Sequence, residues 1–549
     1  MTVMPVTLRP LLEPSFGWER HDVGQATVWF RGYVHGRSAE AVADQAARLG
    51  RSELASWLDA LDGHYSLVVV RPGSAFAASD PVRSYPLIWA RRGDDVFVTH
   101  DGPALEDELG LGPRDIESDM ALAVAMSGYT IGDATLYSDV RQIGPGEFLW
   151  VDGEDATQER YYRWTPWLPD TGAEVADLRE PLSRCNAALI EALVKSAAGR
   201  PILVPLSAGL DSRLIVSGLK EAGYDTVSCV AYGLPGNREA VTSREIARRL
   251  GYDWTFIPYT QRTMRQAFHS ADHARYTAYS DSLTGMHFPQ EYRLLAEPRR
   301  DHAITPDTIV VNGQAGDFIA GNHVPQALFE PGGSERERLD RIIAAFLAKH
   351  YRHWSSLGTP ERLETVHRRL ESEIAAIGGL PDDPAGDHGI YEYCEYQDRQ
   401  SKYVLNGQRI YEYMGLDWRL PLWDRAYMDF WAKAPLAAKQ RERLYRDVLM
   451  RDDWAGVWRS IPTNPTRIRP AWVRPLRFAA KAMHAPLGRA RWHRFEKRYF
   501  EYWMAGTCAY AAWPYRRVAR DRRGHQNVVA WHAAEYLKGK GLAWDGRQP

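Results

Sequence analysis

Apolar positions in the first 163 residues recur in short bursts bounded by Gly, Asp and Pro. Ala26–Val34 and stretches 63–70, 96–99 and 146–151 are β-branched or aromatic, the pattern of strands in partly buried sheets. Helical spacing interrupts them over 39–49, continuing to 61, and again near 119–126. Strands mixed with few helices predict a layered α+β domain over 1–164. Residues 165–177, with two prolines, a glycine and acidic side chains, read as a linker.

From 178 the period changes. Helix 182–197, strand 202–206, helix 213–222, strand 226–232, helix 242–250 and strand 254–257 alternate. That alternation predicts an α/β half, 178–455, with a doubly wound parallel sheet whose ligands sit beyond the strand C-termini. Stretches 263–300, 335–378 and 388–455 are largely helical by periodicity and are expected to cap that edge.

Composition narrows the class. The 549 residues are 45% hydrophobic and 25% charged, with net charge −2, enough chain for two or three globular domains. The charge gives no overall pull toward nucleic acid, and none is expected as partner. Neither a membrane-spanning run nor a signal peptide is visible. Cys185, Cys229, Cys394 and Cys508 lack the spacing of a disulfide framework or zinc site, which fits a cytoplasmic setting.

The extension 456–549 is basic and aromatic: Arg467, Arg469, Arg474, Arg477, Lys481, Arg489, Arg491, Arg494, Lys497 and Arg498 stand among several Trp and Tyr. It reads either as helices with solvated arginine faces and Trp packed on the body, or as a docking surface for a phosphorylated substrate or an anionic membrane face.

The chemistry concentrates at Ser207-Ala208-Gly209-Leu210-Asp211-Ser212, directly after the apolar run ending at Leu206. Small side chains let backbone N–H groups approach an anion, and the following helix N-terminus adds positive potential. The loop is neither Walker A nor the dinucleotide G-x-G-x-x-G. An ordinary βα turn remains the plain alternative. Ser-x-Gly-x-Asp-Ser resembles the pyrophosphate loop of enzymes that split ATP into AMP and pyrophosphate.

Three later segments follow in order. They are Asn312-Gly313-Gln314-Ala315-Gly316-Asp317, Tyr396-Gln397-Asp398-Arg399, and Arg419-Leu420-Pro421-Leu422-Trp423-Asp424. In the first half, Leu61-Asp62-Gly63-His64-Tyr65-Ser66-Leu67, Asp80-Pro81-Val82-Arg83-Ser84-Tyr85-Pro86-Leu87 and Gly144-Pro145-Gly146 join them. Over roughly 20–455 the chain resembles the asparagine synthetase family, whose relatives include β-lactam synthetases, lasso-peptide macrocyclases and polysaccharide-locus amidotransferases.

The resemblance implies a glutaminase-like N-terminal domain and an ATP-pyrophosphatase domain using ATP and Mg²⁺. It assigns ATP to Leu206, Ser207, Gly209, Asp211, Ser212, Tyr232 and Gly313, and the metal to Asp211 and Asp317. A helix cap is the alternative role for each aspartate. The implied activity is amide-bond formation: a small-molecule or peptide carboxylate is adenylated, then an amine or ammonia takes the acyl group. Intramolecular lactam or macrolactam closure is the same-class alternative, and a degenerate scaffold protein the non-enzymatic one.

Departures from the family modify this. Residue 2 is Thr where the glutaminases carry a nucleophilic Cys, and Arg31-Gly32-Tyr33-Val34-His35-Gly36 replaces their glutamine-holding segment, so glutamine hydrolysis is not expected. Gln314 stands where the family has Glu or Tyr; it donates hydrogen bonds but is no general base. Lys439 or Arg441 is expected to supply the cation for acyl transfer, a solvated helix face being the alternative. His323 and Glu395 are reserve bases.

Overall fold

The computed structural model describes residues 6–14, 17–153, 155–170, 172–289, 291–300, 304–461 and 468–548, side chains of 297–300 excepted. Thr2 and Arg467 lie outside the described residues.

The chain is a mixed α/β molecule with three sheets. Strands Thr7–Pro10, Asp95–Thr99, Leu87–Arg92 and Val140–Ile143 form a four-stranded sheet in that order. Ala156–Arg160, Glu147–Asp152, Ser74–Ser79, Gly63–Arg71, Ala26–Val34 and Glu19–Val23 form an antiparallel six-stranded one. Alternation along Gly63–Arg71 sends Val68 between the two sheets, against Leu87 and Val98. Leu67 and Val69 go to the opposite side, against Val42 and Leu54 of the covering helices. The period of two thus creates two apolar layers from one strand.

The helical pattern over 39–61 is two helices, Ala39–Ala46 and Arg51–Asp59. The break falls at Gly50, whose N–H donates to Glu53 Oε2 at 3.3 Å and starts the second helix.

The third sheet is parallel, in the order Asp253–Pro258, Val227–Gly233, Ile202–Pro205, Ile309–Val311 and Asp417–Arg419. From Ile202–Pro205 the chain winds outward through the next two strands on one side and returns to place the last two on the other. That switch of order opens a crevice at the strands' C-terminal edge. Helices Arg179–Ala197, Asp211–Glu221 and Arg238–Leu250 pack on it. The supposed helical stretches are interrupted: 263–300 holds Gln261–Phe268, Ala271–Tyr279 and Tyr292–Arg300, with no helix over 281–289. Within 388–455 lies the edge strand Asp417–Arg419.

The layered half and the parallel sheet meet through buried polar contacts. Asp424 faces His64 Nε2 at 3.3 Å and His35 Nε2 at 3.5 Å. Lys402 Nζ donates to Gly132 O at 2.6 Å and pairs with Asp398 at 2.9 Å.

Beside this pair, burial, then the charges of Asp398 and Asp133, push the Glu373 carboxyl up to about 7. Its folded pKa exceeds the unfolded one, so its stabilising contribution is complete below about pH 4.5 and lost as pH rises through 7. Glu373→Gln is therefore expected to raise stability by about 2–3 kcal/mol at pH 8 and to change it little at pH 4.5. Urea unfolding at the two pH values checks this, and an equal effect at both would refute the assignment.

The C-terminal extension packs much of its aromatic content on the body, with Trp513 and Trp531 in one core with Trp354 and Met120. Lys540 pairs with Glu106 at 2.6 Å and Asp281 at 2.7 Å. Among the described residues no helix is long and apolar enough to cross a membrane.

Candidate active site

Strand Ile202–Pro205 delivers Leu206 and the loop 207–212 to the crevice, and helix Asp211–Glu221 starts there. The loop is tied by its own hydroxyls. Ser207 N donates to Ser212 Oγ at 3.0 Å, Gly209 N donates to Ser207 Oγ at 3.0 Å, and the two hydroxyls lie 3.1 Å apart. Asp211 opens the helix in its first turn, with Leu210 at the cap position.

Strand Ile309–Val311 delivers the second loop against the first. A Cβ on Gly313 would lie 2.6 Å from Ser212 N, and one on Gly316 would lie 2.2 Å from Asp211 Oδ1. Glycine at 313 permits backbone to approach backbone, and glycine at 316 leaves room for the Asp211 carboxylate. This packing sets two carboxylates side by side: Asp317 N donates to Asp211 Oδ2 at 3.1 Å. Tyr445 donates to Asp211 Oδ1 at 3.2 Å. Neither aspartate is the helix cap, since Ala315 holds that position before Gly316–Ile319.

Burial first, and then the charge of Asp317, hold the Asp211 carboxyl well above its usual range. Asp317 is also penalised by burial, but His323 outweighs this and brings its pKa below the usual value. His323 Nε2 lies 3.4 Å from Asp317 and its Nδ1 2.5 Å from Glu395 Oε1. Glu395 in turn meets Lys349 and His350, both at 3.1 Å. Two adjacent carboxylates, one paying for its burial, suit a divalent cation. Among the described residues no group of three or more His, Cys, Asp or Glu could hold a metal, so phosphate oxygens and water would have to complete the shell, as Mg²⁺ commonly requires.

The cleft around these loops encloses about 710 Å³. Leu206, Ser207, Gly209, Asp211, Ser212, Tyr232, Gly313, Gln314 and Asp317 all line it. Gln314 accepts from Gln408 Nε2 at 2.8 Å through its carbonyl oxygen, which leaves its amide N–H groups as the donors toward the cleft.

Lys439 and Arg441 do not line it, which corrects the expectation for both. Lys439 Nζ is fully buried against Glu392 Oε2 at 2.7 Å, and Arg441 is exposed on a left-handed turn at φ 53°. The cations lining the cleft are Arg399, paired with Glu395 at 3.3 Å, and Arg446, paired with Glu442 at 2.6 Å. Arg399 comes from a π-helix, Tyr396–Val404, whose wide turn also brings Gln400, Tyr403 and Val404 to the cleft. Tyr396-Gln397-Asp398-Arg399 was the available sequence signal for Arg399; none marked Arg446. The extension contributes Gly506, Thr507 and Val529 to the wall.

Residues 186–451 match the asparagine synthase family. Among solved structures the chain is similar to glutamine phosphoribosylpyrophosphate amidotransferase from B. subtilis complexed with ADP and GMP, at 16% identity over 48% of this chain and 76% of that one, with a TM-score of 0.21. It is also similar to an allosteric regulatory enzyme of purine biosynthesis, at 15% identity over 43% and 61% of the two chains, with a TM-score of 0.19. Likenesses of this size carry no argument about mechanism. No curated protein matches the chain.

Proposed function

The chain belongs to the asparagine synthase family through residues 186–451, a family of ATP-dependent amide-forming synthetases, and from that premise we propose that it is an AMP-forming carbon–nitrogen ligase. The observation that carries the reading is the meeting of Asp211 and Asp317, 106 positions apart, at one cleft.

Loop 207–212 and the helix behind it would hold the phosphates of ATP, with Tyr232 and Leu206 toward the nucleoside. Asp211 and Asp317 would hold Mg²⁺, which when bound draws charge from the phosphate oxygens. A substrate carboxylate oxygen attacks the α-phosphorus, the α–β bridging bond breaks, and pyrophosphate leaves. An amine lone pair then attacks the acyl carbon and AMP departs, the amine proton passing to a base. Arg399 and Arg446 stabilise charge as it develops, while the Gln314 amide orients the acyl group.

The nitrogen is taken as free amine or ammonia. All four cysteines lie outside the layered half, and burial pushes Cys185 up to about 11 and Cys229 and Cys508 up to about 12. None is an activated thiolate.

Incubation with ATP, Mg²⁺, amines and a panel of carboxylates, read by mass spectrometry, is expected to give AMP and pyrophosphate only with a substrate acid. Product mass separates intermolecular amide from lactam. Arg446→Ala is expected to lower kcat about 10²-fold. ADP as the sole nucleotide product, or no turnover with any acid, would overturn the assignment.

A further inference from the structure

Seven large apolar side chains are conspicuously exposed among the described residues, and five of them fall in one segment: Trp472, Leu476, Phe478, Met483 and Leu487. Helix Val473–His484 buries Val473 and Ala480 and packs on helix Arg489–Tyr499. Trp472, Leu476, Ala479 and Met483, spaced four, three and four residues apart, form a second stripe facing solvent. Phe478 is 76% and Met483 69% exposed. A short turn leads back into helix Arg489–Tyr499, and Arg477 to Glu496 at 2.5 Å ties the hairpin together.

Charge accompanies this apolar face. Residues 468–500 hold nine Lys and Arg against one carboxylate, in a chain of net charge −2. Lys481, Arg489, Arg491 and Arg494 are exposed. An apolar stripe beside cations is the character of a helix lying in a bilayer interface. A second copy of the chain is a poor occupant, because a two-fold contact would set these cations against their own counterparts.

We infer that the hairpin 472–499 docks the protein on an anionic phospholipid surface, with Trp472, Leu476 and Met483 entering the headgroup region and Lys481, Arg489, Arg491 and Arg494 meeting lipid phosphates. The chain just before the hairpin runs beside the cleft: a Cβ on Gly236 would lie 3.3 Å from the Arg469 guanidinium, and the next residue, Asn237, lines the cleft. This inference stands whether or not the chain forms AMP.

Cosedimentation of the full chain tests it, with vesicles of phosphatidylcholine alone and of phosphatidylcholine with phosphatidylglycerol. Binding is expected only to the anionic vesicles, weakening with salt. Leu476→Ser with Met483→Ser should weaken it at least about 100-fold. Arg489→Ala, Arg491→Ala and Arg494→Ala together should weaken it about 100-fold, near fivefold per cation. These side chains are solvent-exposed or at the rim, so thermal unfolding should be unchanged. Equal binding to neutral vesicles, no binding to anionic ones, or wild-type binding by both variants would overturn the inference. So would a wild-type dimer in light scattering that Leu476→Ser with Met483→Ser dissociates.

Discussion

Asp317→Asn is expected to lower AMP-forming turnover by about 10³-fold or more while leaving the fold intact, the scale on which a lost metal contact raises a barrier by several kcal/mol. The amide keeps the oxygen that accepts from Phe318 N at 2.8 Å. It removes the negative charge that, after burial, raises the Asp211 pKa, but it also removes the ion pair with His323 at 3.4 Å, so the two effects oppose and stability should change little. A purely structural role predicts instead a loss of stability that accounts for the lost turnover. Asp211→Asn should cost turnover similarly, and the double variant no more than either single one, because two ligands of one ion fail together. Both singles should also raise the Mg²⁺ concentration needed for half-maximal rate. Independent, multiplying losses, or singles within about tenfold of wild type, would refute a shared cation.

The second large effect concerns Lys439. With its partner Glu392 it is fully buried, so Lys439→Ala leaves a carboxylate without a counter-charge. Removing one member of such a pair typically costs about 3–5 kcal/mol. Lys439→Met with Glu392→Leu should recover most of that stability, since a well-packed apolar pair often replaces a buried ion pair at little cost. Burial already raises the Glu392 pKa, with Lys439 opposing. Glu392 also feels Glu395 and His323, which carry the network to Asp317. Lys439 is thus a positioning residue. The double variant should regain stability but keep a reduced kcat at unchanged KM for ATP. A Lys439→Ala protein of full stability and abolished turnover would instead return Lys439 to the reacting atoms.

Period and small-residue spacing made much of this architecture legible. The change from alternating apolar positions to βα units located the parallel sheet, and Ser-x-Gly-x-Asp-Ser located its crevice. Gly313 and Gly316 were visible only as members of a later motif, and the structure shows what they approach. Less was visible where three-dimensional context decides. Asp417–Arg419 is three residues long and, among the described residues, pairs only with Ile309–Val311, so no window of its own sequence marks it as a strand. The π-helix at 396–404 shifts which side chains share a face, and helical spacing alone leaves Arg399 unplaced. Lys439 sits in a run of charges, Lys439-Gln440-Arg441-Glu442-Arg443, that reads as solvated. Its burial depends on Glu392, 47 positions away, and on Gly321, where a Cβ would lie 2.4 Å from Lys439 Cβ.

Gly506 and Thr507 come from a segment that the family match, ending at 451, does not reach, as does Val529. Gly506 O accepts from Leu234 N at 2.9 Å, and Val529 packs in one cluster with Tyr129, Met286 and Tyr403. The region defined by kinship is thus smaller than the vessel in which a reaction would occur. Excised at its family borders, it would be a beaker missing part of its side. A truncation meant to isolate the chemistry would instead let solvent into it.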